Sequence, residues 1–359
     1  MPSLHDLGWG PYFDRQVTDD ERARCTPARV VWESRVHYRL ATADAEWHGE
    51  LAGRLRYAAL TPADVPTVGD WVLAVRRPGQ GTATIQRRLD RRSAFTRGAA
   101  GRLAEQQVIA ANVDTVLLVT SCNRDFNVRR IERYLALAWQ SGANPIIVVN
   151  KADLAHSGHE AWHAEMAAVA QGVPIVVASA LRGDGLDVLR SAIQKEGITT
   201  ALLGSSGVGK STLVNALVGA DLQDVAEIRG SDARGRHRTT ARQLCCLRGG
   251  GLLIDTPGMR ELQLLDAEDG VRSVFADVEA LGVGCRFRDC SHEREPGCAV
   301  LAALDEGALA GDRLESYRKL RREEQYLRDR HGGSARAKRR RQGKLVARSL
   351  KWQDKLRRR

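Results

Sequence analysis

The sequence predicts a multidomain α/β protein with three folded parts: an N-terminal barrel, a central parallel α/β domain and a C-terminal helical module. Residues 29–97 form short alternating stretches between turns rich in Gly, Pro and Asp, which is typical of a small barrel. From residue 113, apolar strands alternate with helical segments, as in a parallel sheet covered on both faces. A group of cysteines and a histidine follows at 285–298. A chain of 359 residues is also longer than a single core usually supports.

The barrel is predicted from five strand candidates. They are Arg29–Glu33, His37–Leu40, Glu46–Leu51, Asp70–Ala74 and Thr82–Ile85. Five short strands in a compact basic module favour the oligonucleotide-binding (OB) fold. Five arginines follow the last strand: Arg87, Arg88, Arg91, Arg92 and Arg97. They fit either a solvated face or an edge that contacts phosphates, and the basic C-terminal tail favours the edge.

The central feature of the second part is a phosphate-binding loop. The pattern G-x-x-x-x-G-K-[ST] and the residue after it are formed by Gly204, Ser205, Ser206, Gly207, Val208, Gly209, Lys210, Ser211 and Thr212. A strand enters at 200–203 and a helix leaves at 212–218, which disfavours a chance Gly/Ser-rich turn. In such a loop, backbone N–H groups and the helix dipole face phosphate oxygens. We expect Lys210 to reach the terminal phosphates and Ser211 to bind Mg²⁺.

Two further loops predict specificity for guanine. Asn150-Lys-Ala-Asp153 directly follows a strand, where ligands bind in open α/β sheets. The Asp153 carboxylate can accept bonds from the ring N–H and the exocyclic amine of guanine, a donor pair that adenine lacks. We expect Lys151 to lie along the base and Asn150 to tie this loop to the phosphate loop. Ser179 and Ala180, after the next strand, can present a backbone N–H to the guanine oxygen.

A third set of segments predicts how the γ-phosphate is sensed. Asp255-Thr-Pro-Gly258 ends a strand, and we expect Asp255 to hold Mg²⁺ through water and the Gly258 N–H to contact the γ-phosphate. The polar segment 229–240 is expected to be a switch loop that is ordered only with Mg²⁺ and γ-phosphate in place, with a plain linker as the alternative. Thr239 is the first choice for its Mg²⁺ ligand and Thr240 the second.

The order of these motifs along the chain is itself informative. Ordinary GTPases run phosphate loop, switch threonine, Asp-x-x-Gly, Asn-Lys-x-Asp and Ser-Ala, whereas here the last two motifs come first. A circular permutation that keeps each loop at its strand end leaves the site intact. It also means that the segment after Gly258 leads out of the domain into the next module.

That module contains a predicted zinc site. Cys285, Cys290, His292 and Cys298 follow the spacing C-x4-C-x-H-x5-C. Three thiolates and an imidazole suit tetrahedral Zn²⁺ in a closed structural site, and chance clustering of thiols is the alternative. The helical segments 271–281 and 299–304 are too short to form a core alone, so we expect the metal to supply folding energy.

The net charge is concentrated at the C-terminus. The chain has 55 Lys and Arg against 44 Asp and Glu, a net charge of +11. Residues 313–359 hold 19 basic and 5 acidic residues, a net +14, which leaves −3 for the rest. Such a tail, with basic runs at 338–341 and 357–359 around Trp352, predicts an anionic polymer as partner, although a merely solvated charge run is the alternative.

The sequence favours the reducing cytoplasm. The first six residues lack the apolar segment of a signal peptide, and no run approaches the length of a membrane span. Seven cysteines, an odd number, are more typical of metal ligation than of disulfides.

With the permuted motifs, the barrel and the zinc cluster together, roughly residues 30–310 resemble the ribosome small-subunit-dependent GTPases of the RsgA (YjeQ) family. The resemblance implies a factor that binds the small (30S) ribosomal subunit and its 16S rRNA near the decoding region, late in maturation. It also implies that GTP hydrolysis to GDP and phosphate is stimulated by the subunit and releases the factor. The switch loop in that family commonly reads GRHTTT, whereas residues 235–240 here place Arg238 at the first threonine.

The sequence also predicts slow hydrolysis by the free protein. Met259 follows Gly258 at the place where many GTPases carry the glutamine that orients the attacking water, and methionine cannot do this. His237, in the switch segment, is the candidate for that catalytic role, moved into place by docking on rRNA. Lys210 and Thr239 complete the predicted catalytic set.

We expect the domains to divide the chain as follows: an N-terminal extension and RNA-binding OB barrel at 1–105, the permuted GTPase domain at 106–268, the zinc-binding domain at 269–312, and a basic helical or disordered tail at 313–359. A monomer is expected. Two alternatives stay open. One is a GTP-dependent RNA-binding module with little hydrolysis, and the other is a GTPase acting on a membrane or protein partner, against which the lack of an amphipathic anchor argues.

Overall fold

The structure, a computed structural model, describes residues 2–34, 37–59, 61–77, 79, 81–98, 106–122, 126–154, 159–170, 172–218, 242–255 and 267–329. Within these ranges no helix combines the length and the apolar character that a membrane span needs.

The N-terminal part is a closed five-stranded barrel, as the sequence predicts. Its strands are β1 (Thr26–Glu33), β2 (Tyr38–Ala41), β3 (Glu46–Leu51), β4 (Trp71–Arg76) and β5 (Thr82–Arg88). They pair in the order β1-β2-β3-β5-β4, and β4 pairs back with β1 to close the barrel. Strands β3 and β5 are parallel and the other pairs are antiparallel. Val30, Leu40, Val72 and Ile85 alternate with outward residues and fill the interior.

The central part is a mostly parallel sheet. Its strands are β8 (Thr115–Ser121), β9 (Asn144–Asn150), β10 (Ile175–Val177), β11 (Thr199–Gly204), β12 (Gln243–Cys246) and β13 (Leu252–Asp255), preceded by the hairpin β6 (Ala94–Gly98) and β7 (Gln106–Ala111). The order is β10-β9-β8-β11-β13-β12, with only β12 antiparallel among these. A pairing of Trp32 with Gln243 joins β12 to the barrel. The carboxyl ends of the five parallel strands therefore meet at one edge.

Helices surround the barrel and the sheet. They are α1 (Pro11–Asp14), α2 (Asp19–Arg24), α3 (Gly53–Ala58), α4 (Val128–Ser141), α5 (His159–Ala170), α6 (Leu186–Ile193), α7 (Lys210–Val218), α8 (Glu268–Val274), α9 (Ala276–Gly282) and α10 (Ala299–Asp305), and the chain is helical again over 311–329, here called α11. The single helical segment expected at 271–281 is thus two helices, which break at Phe275.

Helix α4 lies between the sheet and the C-terminal helices. Its start is capped by the Asn127 side chain, which accepts a hydrogen bond from the Arg130 N–H, and it ends at Gly142, whose φ of 85° suits glycine. Helix α8 approaches it closely, since a Cβ on Gly270 would lie 2.2 Å from the Ala136 carbonyl oxygen. The C-terminal module is therefore packed directly on the central domain.

The N-terminal extension packs over the junction between the barrel and the sheet. Phe13 is buried, and Trp9 packs edge-to-face on Trp71 at 4.8 Å between ring centroids. Beneath them Arg29 is fully buried, with its guanidinium donating to the carbonyl oxygens of Leu7, Gly69 and Asn112. Burial lowers the pKa of Arg29 to about 10, which leaves it charged at neutral pH.

The five arginines after the barrel, predicted to form either a solvated face or a phosphate-contacting edge, each have a partner within the protein. Arg91 binds Asp70 through two hydrogen bonds of 2.8 and 2.6 Å. The other partners are Glu21 for Arg87, the Leu89 carbonyl for Arg88, Asp114 for Arg92 and Gln107 for Arg97. The reason is their position: they leave the barrel at its junction with the next domain, where carboxylates and carbonyls from several segments meet them.

Candidate nucleotide-binding site and metal centre

The phosphate loop lies between β11 and α7. Every residue of β11 is buried, and a Cβ on Gly204 would lie 2.4 Å from the Val119 carbonyl oxygen on β8, so the loop must begin with glycine. Gly207 and Gly209 have φ of +82° and +93°, which bend the backbone back toward the helix. Lys210 opens α7, and its Nζ donates to the Gly204 and Ser205 carbonyl oxygens at 2.8 and 2.5 Å. The loop thus has the shape and the cation that phosphate binding needs.

Asn150 joins three loops of the site. It ends β9 and is 2% exposed. Its Nδ2 donates to the Val208 carbonyl oxygen in the phosphate loop at 2.9 Å, and its Oδ1 accepts from the Ala180 N–H at 3.0 Å. Lys151 follows with φ of 62°, and its Cε lies 3.8 Å from where a Cβ on Gly209 would be. The side chains after β9 and the phosphate loop therefore form one connected surface.

Asp153 is held in place by the loop after β10. Ser179, which is fully buried, donates from its hydroxyl to Asp153 Oδ1 at 2.5 Å, and the Arg182 N–H donates to the same hydroxyl at 3.1 Å. The Ser179 hydrogen bond lowers the pKa of Asp153 below its ordinary value. An ionised, oriented carboxylate at this position can accept two hydrogen bonds from a purine edge.

One contact differs from the sequence-based expectation. We expect Ser179 and Ala180 to present a backbone N–H to the guanine oxygen, but in the structure the Ala180 N–H donates to Asn150 Oδ1. The physical reason is burial, since the Asn150 side chain is enclosed and its oxygen needs a donor. The backbone N–H of Ser179 is also already bonded, because it donates to the Asp184 carbonyl oxygen. Ser179 therefore contributes its hydroxyl to the site and not its N–H.

The residues predicted to hold Mg²⁺ are only partly described. Ser211 and Thr212 are exposed on the first turn of α7. Asp255 ends β13, and that strand is the neighbour of β11, with Ile254 opposite Ala201. The donor set is hydroxyl and carboxylate oxygen, which fits the preference of Mg²⁺. His237, Arg238, Thr239, Thr240, Gly258 and Met259 lie outside the described residues, as does the tail from 330 on.

The structure adds a residue that the motifs do not include. Arg130, in the first turn of α4, donates from Nη1 to Ser205 Oγ at 3.0 Å. Ser205 occupies a variable position of the phosphate-loop pattern, and Arg130 belongs to no motif, so sequence reasoning missed the pair. The one sequence signal for Arg130 was the helix start after Asn127. A helix that begins there brings its first basic side chains near the end of a strand.

The four predicted zinc ligands are brought together. One donor atom from each of Cys285, Cys290, His292 and Cys298 lies within 4.8 Å of the others. The sulfurs of Cys285 and Cys298 are 3.8 Å apart, and His292 Nδ1 lies 3.5 and 3.4 Å from them. Tetrahedral bond lengths of about 2.3 Å to sulfur and 2.0 Å to nitrogen require separations of about 3.8 and 3.5 Å. The residues therefore fit one Zn²⁺ with no position left for water.

Protonation in the cluster also suits a metal. Burial lowers the pKa of His292, which favours the neutral imidazole that metals bind. Burial raises the pKa of Cys285, but the N–H groups of Val300 and Ala299 at the start of α10, together with hydrogen bonds from the Cys298 and Cys290 thiols, outweigh this and the net effect is a lowered pKa. Burial, together with the two neighbouring sulfurs, raises the pKa of Cys290 to about 11. A divalent cation would displace that proton and relieve the crowding of the sulfurs.

Surrounding contacts fix the orientation of the cluster. His292 has φ of 59°, and Arg318 of α11 donates to its carbonyl oxygen. Tyr317 lies beside its ring and donates to Glu279 at 2.8 Å. These contacts tie the cluster to α9 and α11, so the metal centre and the last described helix form one unit.

Comparison with known proteins decides the family. The RsgA GTPase family model matches residues 88–265. A relative from Opitutus terrae, named small ribosomal subunit biogenesis GTPase RsgA, is 47% identical over 333 residues, which cover 90% of this chain and 90% of the relative. The chain belongs to the RsgA GTPase family. A further RsgA, from Streptomyces coelicolor, is 46% identical over 330 residues, with 90% and 87% coverage.

Solved structures support the RsgA architecture. The crystal structure of YjeQ from Thermotoga maritima superposes with a TM-score of 0.61 at 27% identity and covers 82% of this chain and 97% of that one. YloQ, described as a circularly permuted GTPase, gives a TM-score of 0.59 at 23% identity, with 86% and 96% coverage, and shows the fold alone. The predicted fold class, permutation and family resemblance are thus confirmed. This RsgA family member is a GTP hydrolase, and Mg²⁺ accompanies its GTP.

Proposed function

We propose that this GTPase acts in the late maturation of the small (30S) ribosomal subunit: it binds the 16S rRNA with GTP bound, and subunit-stimulated hydrolysis to GDP and phosphate releases it. The observation that carries the proposal is the close relationship to proteins named small ribosomal subunit biogenesis GTPases, over 90% of the chain. The protein would do this as a monomer in the cytoplasm.

Guanine would be recognised at the carboxyl ends of β9 and β10. Asp153, ionised and oriented by Ser179, would accept from the ring N–H and the exocyclic amine of the base. Lys151 would cover one face of the base with its aliphatic stem. Asn150 binds both the phosphate loop and the Ala180 backbone, so base and phosphate positions are fixed relative to each other.

The phosphates would lie in the loop from Gly204 to Thr212. Its N–H groups and the α7 dipole attract the anion, and Lys210 neutralises charge on the terminal phosphates. Ser211, Thr239 and Asp255 would hold Mg²⁺, which would offset the negative charge of the phosphates.

The attacking water needs a group that Met259 cannot supply. We assign this role to His237, which would orient the water once the segment 229–240 is placed by contact with the subunit. The substitution His237→Ala should leave GTP binding intact and reduce subunit-stimulated turnover by about a hundredfold or more. Unchanged turnover in this variant would remove His237 from the mechanism.

Two exposed basic surfaces suit rRNA. On the barrel, α3 presents Arg54, Arg56 and Tyr57, and Tyr57 is 93% exposed. On the zinc module, the loop between the first two ligands exposes Arg286, Phe287 and Arg288. Cations beside an exposed aromatic ring favour phosphate contacts combined with stacking on bases.

The decisive experiment is phosphate release under multiple turnover, measured with the protein alone and with purified small subunits, large subunits or free rRNA. We expect strong stimulation by small subunits only, and loss of the GDP-bound protein from the particle in co-sedimentation. Equal turnover under all conditions would contradict the proposed role.

The alternative, a GTP-dependent RNA-binding module with little hydrolysis, is favoured by Met259 at the glutamine position. It predicts GTP-dependent binding to the small subunit without stimulated phosphate release. The same assay therefore separates the two functions.

A further inference from the structure

Helix α4 contacts the phosphate loop through one side chain. Arg130 lies in its first turn, where the Asn127 side chain fixes its backbone N–H, and its Nη1 reaches Ser205 Oγ at 3.0 Å. The two residues are 75 positions apart in the chain. The contact therefore links the loop that binds phosphates to an element that no guanine or phosphate motif includes.

The charge on Arg130 is not balanced by a neighbouring acid. Within the described part of the chain, no carboxylate forms an ion pair with it, and its side-chain partner is a neutral hydroxyl. The arginines on either side in the same helix differ: Arg129 pairs with Glu132, and Arg133 pairs with Glu323. A half-buried cation held at a phosphate loop adds to the attraction of that loop for an anion.

Other residues in the same part of α4 contact helix α11. Glu132 is fully buried and accepts from Arg313 Nη1 at 2.6 Å and from Ser316, both in α11. Arg129 Nη2 lies 3.5 Å from an Asp312 carboxylate oxygen. Within one and a half turns of α4, Arg130 therefore contacts the phosphate loop, while the neighbouring residues contact α11.

We propose that Arg130 is a positioning residue for the phosphate loop, and that α4 couples the nucleotide in this loop to the packing of α11. A bond to Ser205 that changes when the γ-phosphate is bound would move the first turn of α4, and Glu132 and Arg133 would transmit that movement to α11. The inference rests on the proposed nucleotide site but not on the proposed ribosomal role.

The first test is a double-mutant cycle on the full-length protein, with Arg130→Ala, Ser205→Ala and both together. Affinities for fluorescent GDP and for a fluorescent non-hydrolysable GTP analogue are measured without ribosomes. Arg130→Ala should weaken binding of the GTP analogue by about tenfold and GDP by less, since a charge-assisted hydrogen bond and a cation are lost. Ser205→Ala should have little further effect once Arg130 is absent.

A matched control is Arg190→Ala. Arg190 is likewise an arginine that donates a long-range hydrogen bond near this site, but its acceptor is the Ala216 carbonyl oxygen, at the end of α7 remote from the phosphate loop. It should leave the ratio of the two affinities unchanged. If Arg130→Ala also leaves this ratio unchanged, or if the two substitutions are additive, Arg130 does not position the loop.

The second test measures the local stability of α11. Amide hydrogen exchange over 311–329 should differ between the GDP-bound and analogue-bound wild type, and this difference should vanish in Arg130→Ala. Arg133→Ala, which removes a partly exposed ion pair to α11, should likewise reduce it while the protein remains folded. A difference that persists in Arg130→Ala, or its absence from the wild type, would overturn the coupling. Failure of the wild type to bind guanine nucleotides would instead overturn the proposed site.

Discussion

The side-chain nitrogen of Asn150 lies 2.4 Å from the position that a Cβ atom on Gly209 would occupy. The same nitrogen donates to the Val208 carbonyl oxygen, so the approach is part of a hydrogen bond that joins the base loop to the phosphate loop. Glycine at 209 is therefore required twice, by its φ of +93° and by the space above it.

The first prediction is that Gly209→Ala abolishes nucleotide binding and lowers the stability of the protein. A left-handed backbone costs an alanine about 1–2 kcal/mol, and the clash adds a further cost of about 1–3 kcal/mol. The free energy of unfolding is measured in urea without nucleotide. Gly207→Ala is the control, because φ is +82° there but nothing lies within 4 Å of the added Cβ. Equal losses in the two variants would show that the Asn150 contact does not matter.

The second prediction concerns Asp153→Asn. The amide that replaces the carboxylate would present a donor to the exocyclic amine of guanine, so GTP affinity should fall by at least about tenfold. Xanthine carries a carbonyl oxygen in place of that amine, and xanthosine triphosphate should therefore bind the variant better than GTP does. Competition against a fluorescent nucleotide measures both. A variant that still prefers GTP would place the base elsewhere.

The third prediction is a pH dependence. The Ser179 hydrogen bond lowers the pKa of Asp153, so in the wild type the contribution of the carboxylate is complete above the ordinary range of aspartate. It is lost only as the pH falls through the lowered value. Removing the bond with Ser179→Ala should return the pKa toward its ordinary value, and the loss of GDP affinity should then begin at a higher pH. Affinities measured from about pH 7 down to about pH 3, across the ordinary range of aspartate, test this, and identical profiles would contradict it.

The residues that could be predicted are those whose chemistry is contained in a short pattern. The phosphate loop, the Asn150 segment and the four zinc ligands each lie within fourteen positions, so their spacing alone fixes the geometry. The five barrel strands were likewise predictable from alternation between turns. Long-range contacts were not: Arg130 meets Ser205 across 75 positions, and Arg313 meets Glu132 across 181. The partners of the arginines after the barrel could not be predicted for the same reason, since the partner of Arg91 lies 21 positions away.

The fourth prediction is that Cys298→Ser removes the metal. Cys298 is buried and directly precedes α10, and its sulfur lies 3.8 Å from that of Cys285 and 3.4 Å from His292 Nδ1. We expect one zinc per chain in the wild type, less in the variant, and a lower midpoint of thermal unfolding in the variant. Cys25→Ser, outside the cluster, is the control and should retain one zinc per chain. Full zinc content in Cys298→Ser would contradict the assignment of this ligand.

The fifth prediction tests the junction between α4 and α11. Glu132 is fully buried and the Arg313 side chain is 9% exposed, and Arg313 also stacks over Phe275 at 4.3 Å and binds Asp277. Arg313→Met leaves a buried carboxylate with fewer donors, so the free energy of unfolding should fall by about 3–5 kcal/mol.

The comparison that separates charge from packing is the double variant Arg313→Met with Glu132→Met. Because no buried charge is then left at position 132, we expect it to be more stable than Arg313→Met alone. An exposed pair provides the control: Arg24→Ala removes an ion pair whose side chains are 72% and 64% exposed, and should cost at most about 1 kcal/mol. If Arg313→Met costs no more than Arg24→Ala, the buried pair does not hold the C-terminal helix against α4, and the coupling inferred between this helix and the phosphate loop loses its mechanical basis.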